Sequence, residues 1–193
     1  MPTIVPLVEG HGEVEAAPLL LRRLVHRESR FDVEIAKPFR VKRNRIVKAE
    51  ELERSLTQAM RARAADAALV LLDADDDCPV ELAAELRARA QAAAFPNTAV
   101  VCACREFEAW FLAAKRSLRG QCDIGDNAES VPDAEEIRDA KGRLTRNMKG
   151  TRRYLEVDDQ PRLAATVDLD LAEENSRSFE KLCKEIRVLL GAI

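Results

Sequence analysis

The chain has 193 residues, a formal net charge of −3 and a hydrophobic content of 47%. A chain of this length can bury a sizeable core and is most simply one domain with an appendage. Its charge balance excludes a global polycation, so any binding to nucleic acid must use local basic patches. Five cysteines without a Cys-x-x-Cys pair indicate reduced thiols. No apolar run reaches the ~20 residues of a membrane span, and we expect a cytoplasmic protein without a membrane partner.

The chain begins with a predicted strand that ends in a glutamate. The run from Thr3 to Val8 is apolar, and Glu9-Gly10-His11-Gly12-Glu13 follows it directly. The two glycines permit a tight turn and positive φ. A helical pattern then continues from Glu13 to Val25.

Strand-like and helix-like periods alternate after this first unit. The predicted elements are a strand at 31–35, a helix at 49–64, a strand at 67–72, a helix at 80–94, a strand at 99–103 and a helix at 105–112. This order predicts an α/β fold with a mainly parallel four-stranded sheet, Rossmann-like and flanked by helices. We place the sheet domain at 1–118 and a helical extension, packed on it, at 119–193; a separate helical subdomain stays open.

The third predicted strand runs directly into an acidic cluster, Asp73-Ala74-Asp75-Asp76-Asp77. Four carboxylates in five residues repel one another unless a cation neutralises them, and oxygen ligands suit Mg²⁺ or Mn²⁺. In an extended segment only Asp73, Asp75 and Asp77 can point the same way. The alternative is a solvated acidic turn.

Glu9 and the aspartates follow different strands of the same predicted sheet. The carboxyl ends of parallel strands lie at one edge, and ligands bind at that edge in open α/β sheets. We therefore expect Glu9, Asp73 and Asp75 to converge, although they are distant in the sequence.

These motifs resemble the Toprim superfamily of topoisomerases, primases and nucleases. Val8-Glu9-Gly10 and Asp73-Ala74-Asp75 look like its two signatures, and a second glutamate at Glu13 is closer to the overcoming-lysogenization-defect nuclease branch. The later segments 106–110, 159–161 and 178–179 are similar to a small uncharacterised prokaryotic family within that superfamily.

The resemblance implies a site for Mg²⁺-dependent phosphodiester hydrolysis or transfer. Asp73 and Asp75 would anchor the ion, and Glu9 would be a further ligand or the acid/base. Glu13, a further catalytic candidate, would allow a second ion together with either Asp77 or Glu108. The chain departs from the nuclease pattern after the last strand, because Arg105-Glu106-Phe107-Glu108 replaces a Ser-x-Glu pair. Glu106 and Glu108 cannot share one helical face, and we favour Glu106, which is nearer the strand end.

Two basic runs could receive a phosphate backbone beside this site. Lys141 or Lys149 could stabilise charge on the reacting phosphate, and we take Lys149 as the catalytic candidate. The alternative for either run is ordinary solvated surface. The residues predicted to bind nucleic acid are Arg40, Lys42, Arg43, Arg45, Lys48, Arg152 and Arg153.

The main functional hypothesis is a Mg²⁺- or Mn²⁺-dependent nuclease acting on DNA or RNA, in a phage-defence setting that the resemblance suggests. The alternative is a non-catalytic Toprim-fold subunit that acts through an ATPase partner. A third reading takes Asp-x-Asp as the metal-nucleotide site of a sugar-nucleotide transferase. It has less weight, because such enzymes bind nucleotide at the first strand, where this chain places Glu9.

Overall fold

A computed structural model describes residues 1–193 and shows a five-stranded parallel sheet flanked by helices. The strands are β1 (Thr3–Val8), β2 (Glu34–Ile35), β3 (Phe39–Arg40), β4 (Ala67–Asp73) and β5 (Thr98–Ala103). Their order is β2-β1-β4-β5, and β3 also pairs with β1. The α/β class with a parallel sheet, predicted from the sequence, is confirmed; the strand count is five and not four.

Nine α-helices surround the sheet. They are α1 (His11–Arg27), α2 (Arg43–Ile46), α3 (Glu51–Arg63), α4 (Pro79–Ala92), α5 (Glu108–Ala113), α6 (Ala140–Thr145), α7 (Glu156–Thr166), α8 (Leu169–Asn175) and α9 (Arg177–Ala192). Two short 3₁₀ helices lie at Lys115–Leu118 and Ala134–Glu136. None of the helices is both long enough and apolar enough to cross a membrane.

The expected second strand at 31–35 forms only at Glu34–Ile35, and an additional short strand, β3, pairs with β1 on the far side of Pro6. The backbone N–H and C=O groups of alternate residues in β1 point to opposite neighbouring strands. On the side of β2 and β3, the carbonyl oxygen of Ile4 accepts the amide of Ala36, and that of Val8 accepts the amide of Val41. Pro6 faces the same side but has no N–H to donate. β2 therefore pairs only with residues 3–4 of β1, and β3 only with residues 7–8.

The core lies on both faces of the sheet. The larger cluster joins one face to α1, α5 and α9, and it includes Trp110 and Phe179 as fully buried side chains. The smaller cluster joins the other face to α3 and α4. The helices after residue 118 contribute to the larger cluster, so they pack on the sheet as part of one continuous core.

The parallel register places the ends of three strands at one edge. Val8 pairs with Leu71, and Asp73 pairs with Ala103. Residues that directly follow β1, β4 and β5 are therefore neighbours in space. This edge carries the acidic motifs.

Candidate active site

Four carboxylates gather at the carboxyl edge of the sheet and form what we call the carboxylate cluster: Glu9, Glu13, Asp73 and Glu108. Glu9 follows β1, Glu13 lies in the first turn of α1, Asp73 ends β4 and Glu108 begins α5. Glu13 and Glu108 are buried, at 4% and 0% exposure. The convergence of Glu9 with Asp73 follows from the parallel strand order.

Glu13 fixes the turn between β1 and α1. Its Oε2 accepts the backbone amides of Glu9 at 3.0 Å and Gly10 at 3.3 Å. The carboxylate thus bonds the amide of the N-cap residue Gly10, as the glutamate of a capping box does. Burial, together with the charges of Glu108 and Glu9, raises the pKa of Glu13 to about 7, against the effect of those two amides.

The glycines of this turn provide space and not unusual dihedral angles. The expectation of positive φ was wrong: Gly10 has φ −81°, and Gly12 has no positive φ either. A Cβ on Gly12 would lie 2.7 Å from the carbonyl oxygen of Glu156 and would overlap the side chain of Gln160. Gly12 therefore permits the close approach of α1 to α7, and α7 carries further site residues.

Asp73 is held at the end of β4 by the loop that follows β5. Its Oδ1 accepts the amide of Phe107 at 2.8 Å. Burial raises the pKa of Asp73 well above its usual range, and the neighbouring charges of Glu13 and Glu108 act in the same direction. A proton or a cation would relieve this repulsion.

The loops after β4 and β5 adopt left-handed backbone conformations. Asp75 has φ 51° and Arg105 has φ 63°. The amide of Asp75 donates to the carbonyl oxygen of Arg105 at 3.1 Å, which ties the two loops together. Non-glycine residues in this region store backbone strain, and such residues concentrate at functional sites.

Glu108 lies deepest and has the most polar partners. Tyr154 Oη donates to its Oε1 at 2.8 Å, and Gln160 Nε2 donates at 3.3 Å. Lys141 Nζ lies 4.0 Å from the same oxygen. Burial raises the pKa of Glu108 to about 7, although Lys141 and the Tyr154 hydroxyl lower it.

Lys141 joins the cluster to a fifth carboxylate, Glu156. The ammonium lies 2.8 Å from Glu156 Oε2. Burial lowers the pKa of Lys141, but the charges of Glu108 and Glu156 outweigh burial and the net shift is upward. Burial raises the pKa of Glu156, but the hydrogen bond and the charge of Lys141 outweigh burial, and the net shift is downward. Lys141 is therefore a fixed positive charge at the site.

Glu9 is half-buried and faces Asp75. Burial raises its pKa, the backbone of Arg43 opposes this, and the charge of Asp75 raises it further. Glu9 Oε2 is buried without a hydrogen-bond partner, as is Glu108 Oε2. A carboxylate oxygen buried in this way lacks the interaction that would offset its desolvation.

The acidic loop after β4 is held by arginines. Arg43 donates to the carbonyl oxygen of Asp73 at 3.1 Å, lies 3.7 Å from Asp75 Oδ2 and forms an ion pair with Asp77. Asp77 therefore bonds an arginine and is not part of the cluster. Asp75 remains at the mouth, with 64% of its side chain exposed.

The carboxylate oxygens of the site are suitable ligands for a hard divalent cation, but they are not arranged around a common point. All the nearby ligand atoms are oxygens, and two of them are buried without partners. As the side chains stand, however, no three His, Cys, Asp or Glu residues form a group that could hold a metal ion. Binding of a cation would require Asp75 to leave Arg43 and the carboxylates to draw together.

Comparison with known proteins gives a family for this chain. The family described as "Domain of unknown function (DUF4276)" matches residues 8–187. The chain belongs to this family. No curated protein matches, and no solved structure matches.

The DUF4276 match runs from the last residue of β1 to near the end of α9. It thus spans every residue of the carboxylate cluster, as well as Lys141, Tyr154 and Glu156. The site described above lies wholly within the family region.

Besides Asp75 at the mouth and Asp77 on Arg43, two further predicted site residues of this DUF4276 chain lie outside the cluster. Lys149 forms an ion pair with Asp126 at 3.2 Å, so Lys141 and not Lys149 is the lysine at the site. Glu106 accepts the backbone amide of Lys141 at 3.3 Å, whereas Glu108 enters the cluster. The helix begins at Glu108, so the turn before it directs the two side chains differently.

The predicted nucleic-acid-binding residues divide into three groups. Arg40 donates to the carbonyl oxygen of Glu9 at 3.1 Å, so it stands at the mouth of the site with Arg43. Lys42, Lys48 and Arg153 are exposed and form no ion pair. Arg45 binds Glu51 at 2.6 Å, and Arg152 binds the buried Asp159 at 2.6 Å; both therefore already have partners within the fold.

Sequence reasoning missed Tyr154, Glu156 and Gln160. They lie in or before α7, about 80 residues beyond the acidic loop, and no motif marks them. The segment 159–161 was noticed only as part of a resemblance. Asp159 in that segment accepts the amide of Leu155 at 2.8 Å, which fixes the start of α7, and Gln160 lies in the second turn of that helix.

Proposed function

We propose that this protein hydrolyses or transfers phosphodiester bonds of nucleic acid with Mg²⁺ or Mn²⁺, at a Toprim-like site. The observation that carries the proposal is the convergence of Glu9, Glu13, Asp73 and Glu108 at the carboxyl edge of a parallel sheet. Two buried oxygens without partners and two carboxyl groups with a pKa of about 7 indicate a site built for a positive charge.

The roles follow from position. Glu9, Asp73 and Asp75 would hold the ion, which would polarise a phosphoryl oxygen and activate a water molecule. Alternatively, Glu9, whose pKa is raised by burial, would not hold the ion but would give a proton to a leaving oxygen at the mouth of the site. Lys141 offers a fixed positive charge for the reacting phosphate.

Glu13 and Glu108 lie behind the three proposed ligands. Glu13 is bonded to the turn amides, so its main task is to orient Glu9 and Gly10. Glu108 is oriented by Tyr154 and keeps one oxygen free, which makes it the candidate ligand for a second ion. Arg40 and Lys42 at the mouth would contact the phosphate backbone.

The test is a cleavage assay on labelled single- and double-stranded DNA and RNA with Mg²⁺, Mn²⁺ or chelator. We expect metal-dependent cleavage that Glu9→Gln abolishes while nucleic-acid binding persists, because the amide keeps the shape but neither ligates metal strongly nor transfers a proton. Glu85→Gln is the matched control, since Glu85 is exposed on α4 and forms no ion pair. Equal cleavage by wild type and Glu9→Gln would contradict the proposal.

A second candidate is a non-catalytic subunit that acts through a partner such as an ATPase. It is favoured by the arginine-held acidic loop and by the lack of a preassembled ligand group. If wild type shows no cleavage with either metal, alone or with an ATPase partner, and Glu9→Gln keeps its biological effect, the second candidate replaces the first. The phage-defence setting and the cytoplasmic location stay predictions.

A further inference from the structure

A groove beside the edge strand β5 has the size and lining of a small-molecule site. It lies between α4 and α9 and has a volume of about 740 Å³, within the usual range for ligand sites of about 300–1,000 Å³. Val80, Ala83, Val100 and Cys102 provide an apolar wall. None of its lining residues belongs to the carboxylate cluster.

The free edge of β5 forms the floor of this groove, where Val100 and Cys102 are only 2% and 3% exposed. Ala68 donates to the carbonyl oxygen of Asn97, and Ala74 donates to that of Ala103. The odd-numbered residues of β5 therefore face β4, and the N–H and C=O groups of Val100 and Cys102 face away from it. No other strand pairs with this side of β5, so an alternating row of donors and acceptors meets the groove.

A buried carboxylate provides an independent sign of a missing ligand. The side chain of Glu185 on α9 is only 3% exposed and lines the groove. Its Oε1 accepts from Arg87 at 3.0 Å and from Lys181 at 2.6 Å, but its Oε2 is buried without a partner. A hydrogen-bond donor from a ligand would satisfy that oxygen.

The Arg87–Glu185 ion pair also limits what can enter. Arg87 belongs to α4 and Glu185 to α9, so the pair bridges the two helices across the groove. An extended peptide running along β5 would have to break this bridge. A small molecule would not have to break it.

Four basic groups, together with Glu135, Glu180 and Glu185, line the groove beyond the apolar wall. Arg177 is exposed and forms no ion pair, and Lys181 and Lys184 stand on the same helix. Lys184 is paired with Glu180 at 2.6 Å, which leaves Arg177 as the free cation. A guanidinium suits a phosphate group.

We propose that this groove binds a nucleotide. The base would lie against Val80 and Ala83, with its polar edge on the backbone of Val100 and Cys102. Its amino group would donate to Glu185, and its phosphate would meet Arg177. This site is separate from the carboxylate cluster and does not depend on the function proposed for that cluster.

Calorimetric titration of the full chain with AMP, GMP, adenosine and a short 5′-phosphorylated single strand tests the proposal. We expect AMP or GMP to bind, and Ala83→Phe to weaken that binding by about tenfold or more because the ring fills the groove. Arg177→Glu should weaken AMP binding but not adenosine binding, because only AMP carries the phosphate. Arg61→Glu is the charge-matched control at an exposed position on α3.

The remaining outcomes are decisive as well. Oligonucleotide binding that Ala83→Phe abolishes would support the same site with a nucleic-acid end as the source of the nucleotide. Failure of all four probes to bind wild type would overturn the proposal, as would nucleotide binding that neither Ala83→Phe nor Arg177→Glu changes. Binding of an extended peptide along β5, with no nucleotide bound, would also overturn it.

Discussion

Glu108 shows how strongly a single buried carboxylate can be perturbed when its charge is only partly balanced. It accepts the Tyr154 hydroxyl and lies 4.0 Å from the Lys141 ammonium, yet burial still raises its pKa to about 7. Its pKa in the unfolded chain would be close to the usual value of about 4.3. In the folded protein the group therefore binds a proton in a pH range where the unfolded chain does not.

The raised pKa of Glu108 makes the stability of the fold depend on pH. Between about pH 4.5 and 7 the folded state holds more protons, so stability from this group is present at low pH and is lost as pH rises through 7. Glutamine at position 108 does not titrate, so Glu108→Gln should remove this loss. We expect the change in the free energy of unfolding that the substitution causes to be more favourable at pH 8 than at pH 5 by on the order of 2 kcal/mol. Urea unfolding in chelator at both pH values measures the difference. The same effect of Glu108→Gln at both pH values would show that the pKa is not raised.

Arg43 provides a second prediction at this scale, because it stands where a cation would neutralise Asp75 and Asp77. A guanidinium and Mg²⁺ compete for the same oxygens. We expect Arg43→Gln to lower the Mg²⁺ concentration needed for half of the thermal shift, by about fivefold if the competition is worth ~1 kcal/mol. Arg61→Gln on α3 is the control. An unchanged or higher midpoint in Arg43→Gln would mean that Arg43 does not compete with the ion.

At the scale of elements, the site depends on the contact between α1 and α7. Glu13 lies in the first turn of α1, directly after β1. Glu156 and Gln160 lie on α7, which packs against α1 at the site. Arg23 on α1 donates to the carbonyl oxygens of Ala164 and Val167, which fixes the far end of α7. Two helices far apart in the sequence thus form one wall of the site.

Gly12 is the position where this contact is closest. We expect Gly12→Ala to destabilise the fold by about 1–3 kcal/mol, because the new methyl group meets backbone and side-chain atoms of α7 and the gain in helix propensity is smaller. Chemical denaturation measures the loss. Gly191→Ala is the matched control, since that glycine of α9 has open space around its Cβ position and should be neutral or stabilising by up to ~1 kcal/mol. Equal stability of both variants would contradict the close packing.

At the scale of the whole molecule, the net charge is only −3, so the binding of a polyanion depends on local groups. The carboxylate cluster occupies one edge of the sheet, and Arg40, Lys42 and Arg43 stand beside it on β3 and at the start of α2. A polyanion would be drawn to these basic groups at the rim. The paired residues Arg45 and Arg152 are already neutralised by acidic partners.

The double variant Arg40→Gln with Lys42→Gln tests this rim. We expect weaker nucleic-acid binding and a salt dependence of the binding constant that is shallower by roughly one to two phosphate contacts. Single-turnover cleavage at saturating protein should change little. Fluorescence anisotropy over a range of salt concentrations measures the slope. Arg22→Gln with Arg61→Gln removes the same charge elsewhere, and an equal effect of both double variants would show that only net charge matters.

Alternating periods and strand-end motifs in the sequence were enough to predict the α/β class and to single out Glu9, Asp73 and Asp75. The reason is local: a buried strand is recognisable from its apolar run, and parallel strands place their following residues at one edge. The same reasoning failed at Gly10 and Gly12, where glycine serves packing against a distant helix. It also favoured Glu106 over Glu108, because the residue at which α5 begins decides which side chain enters the site.

Only the tertiary structure decided which distant groups complete the site. Lys141, Tyr154, Glu156 and Gln160 reach the cluster because α6, α7 and the segment between them return to the edge where β1, β4 and β5 end. Nothing in their local sequence distinguishes Lys141 from Lys149, yet one lies beside Glu108 and the other beside Asp126. The local hydrophobic pattern of a sequence indicates which face of an element is buried. Which charged groups of distant elements meet depends on how the whole chain packs.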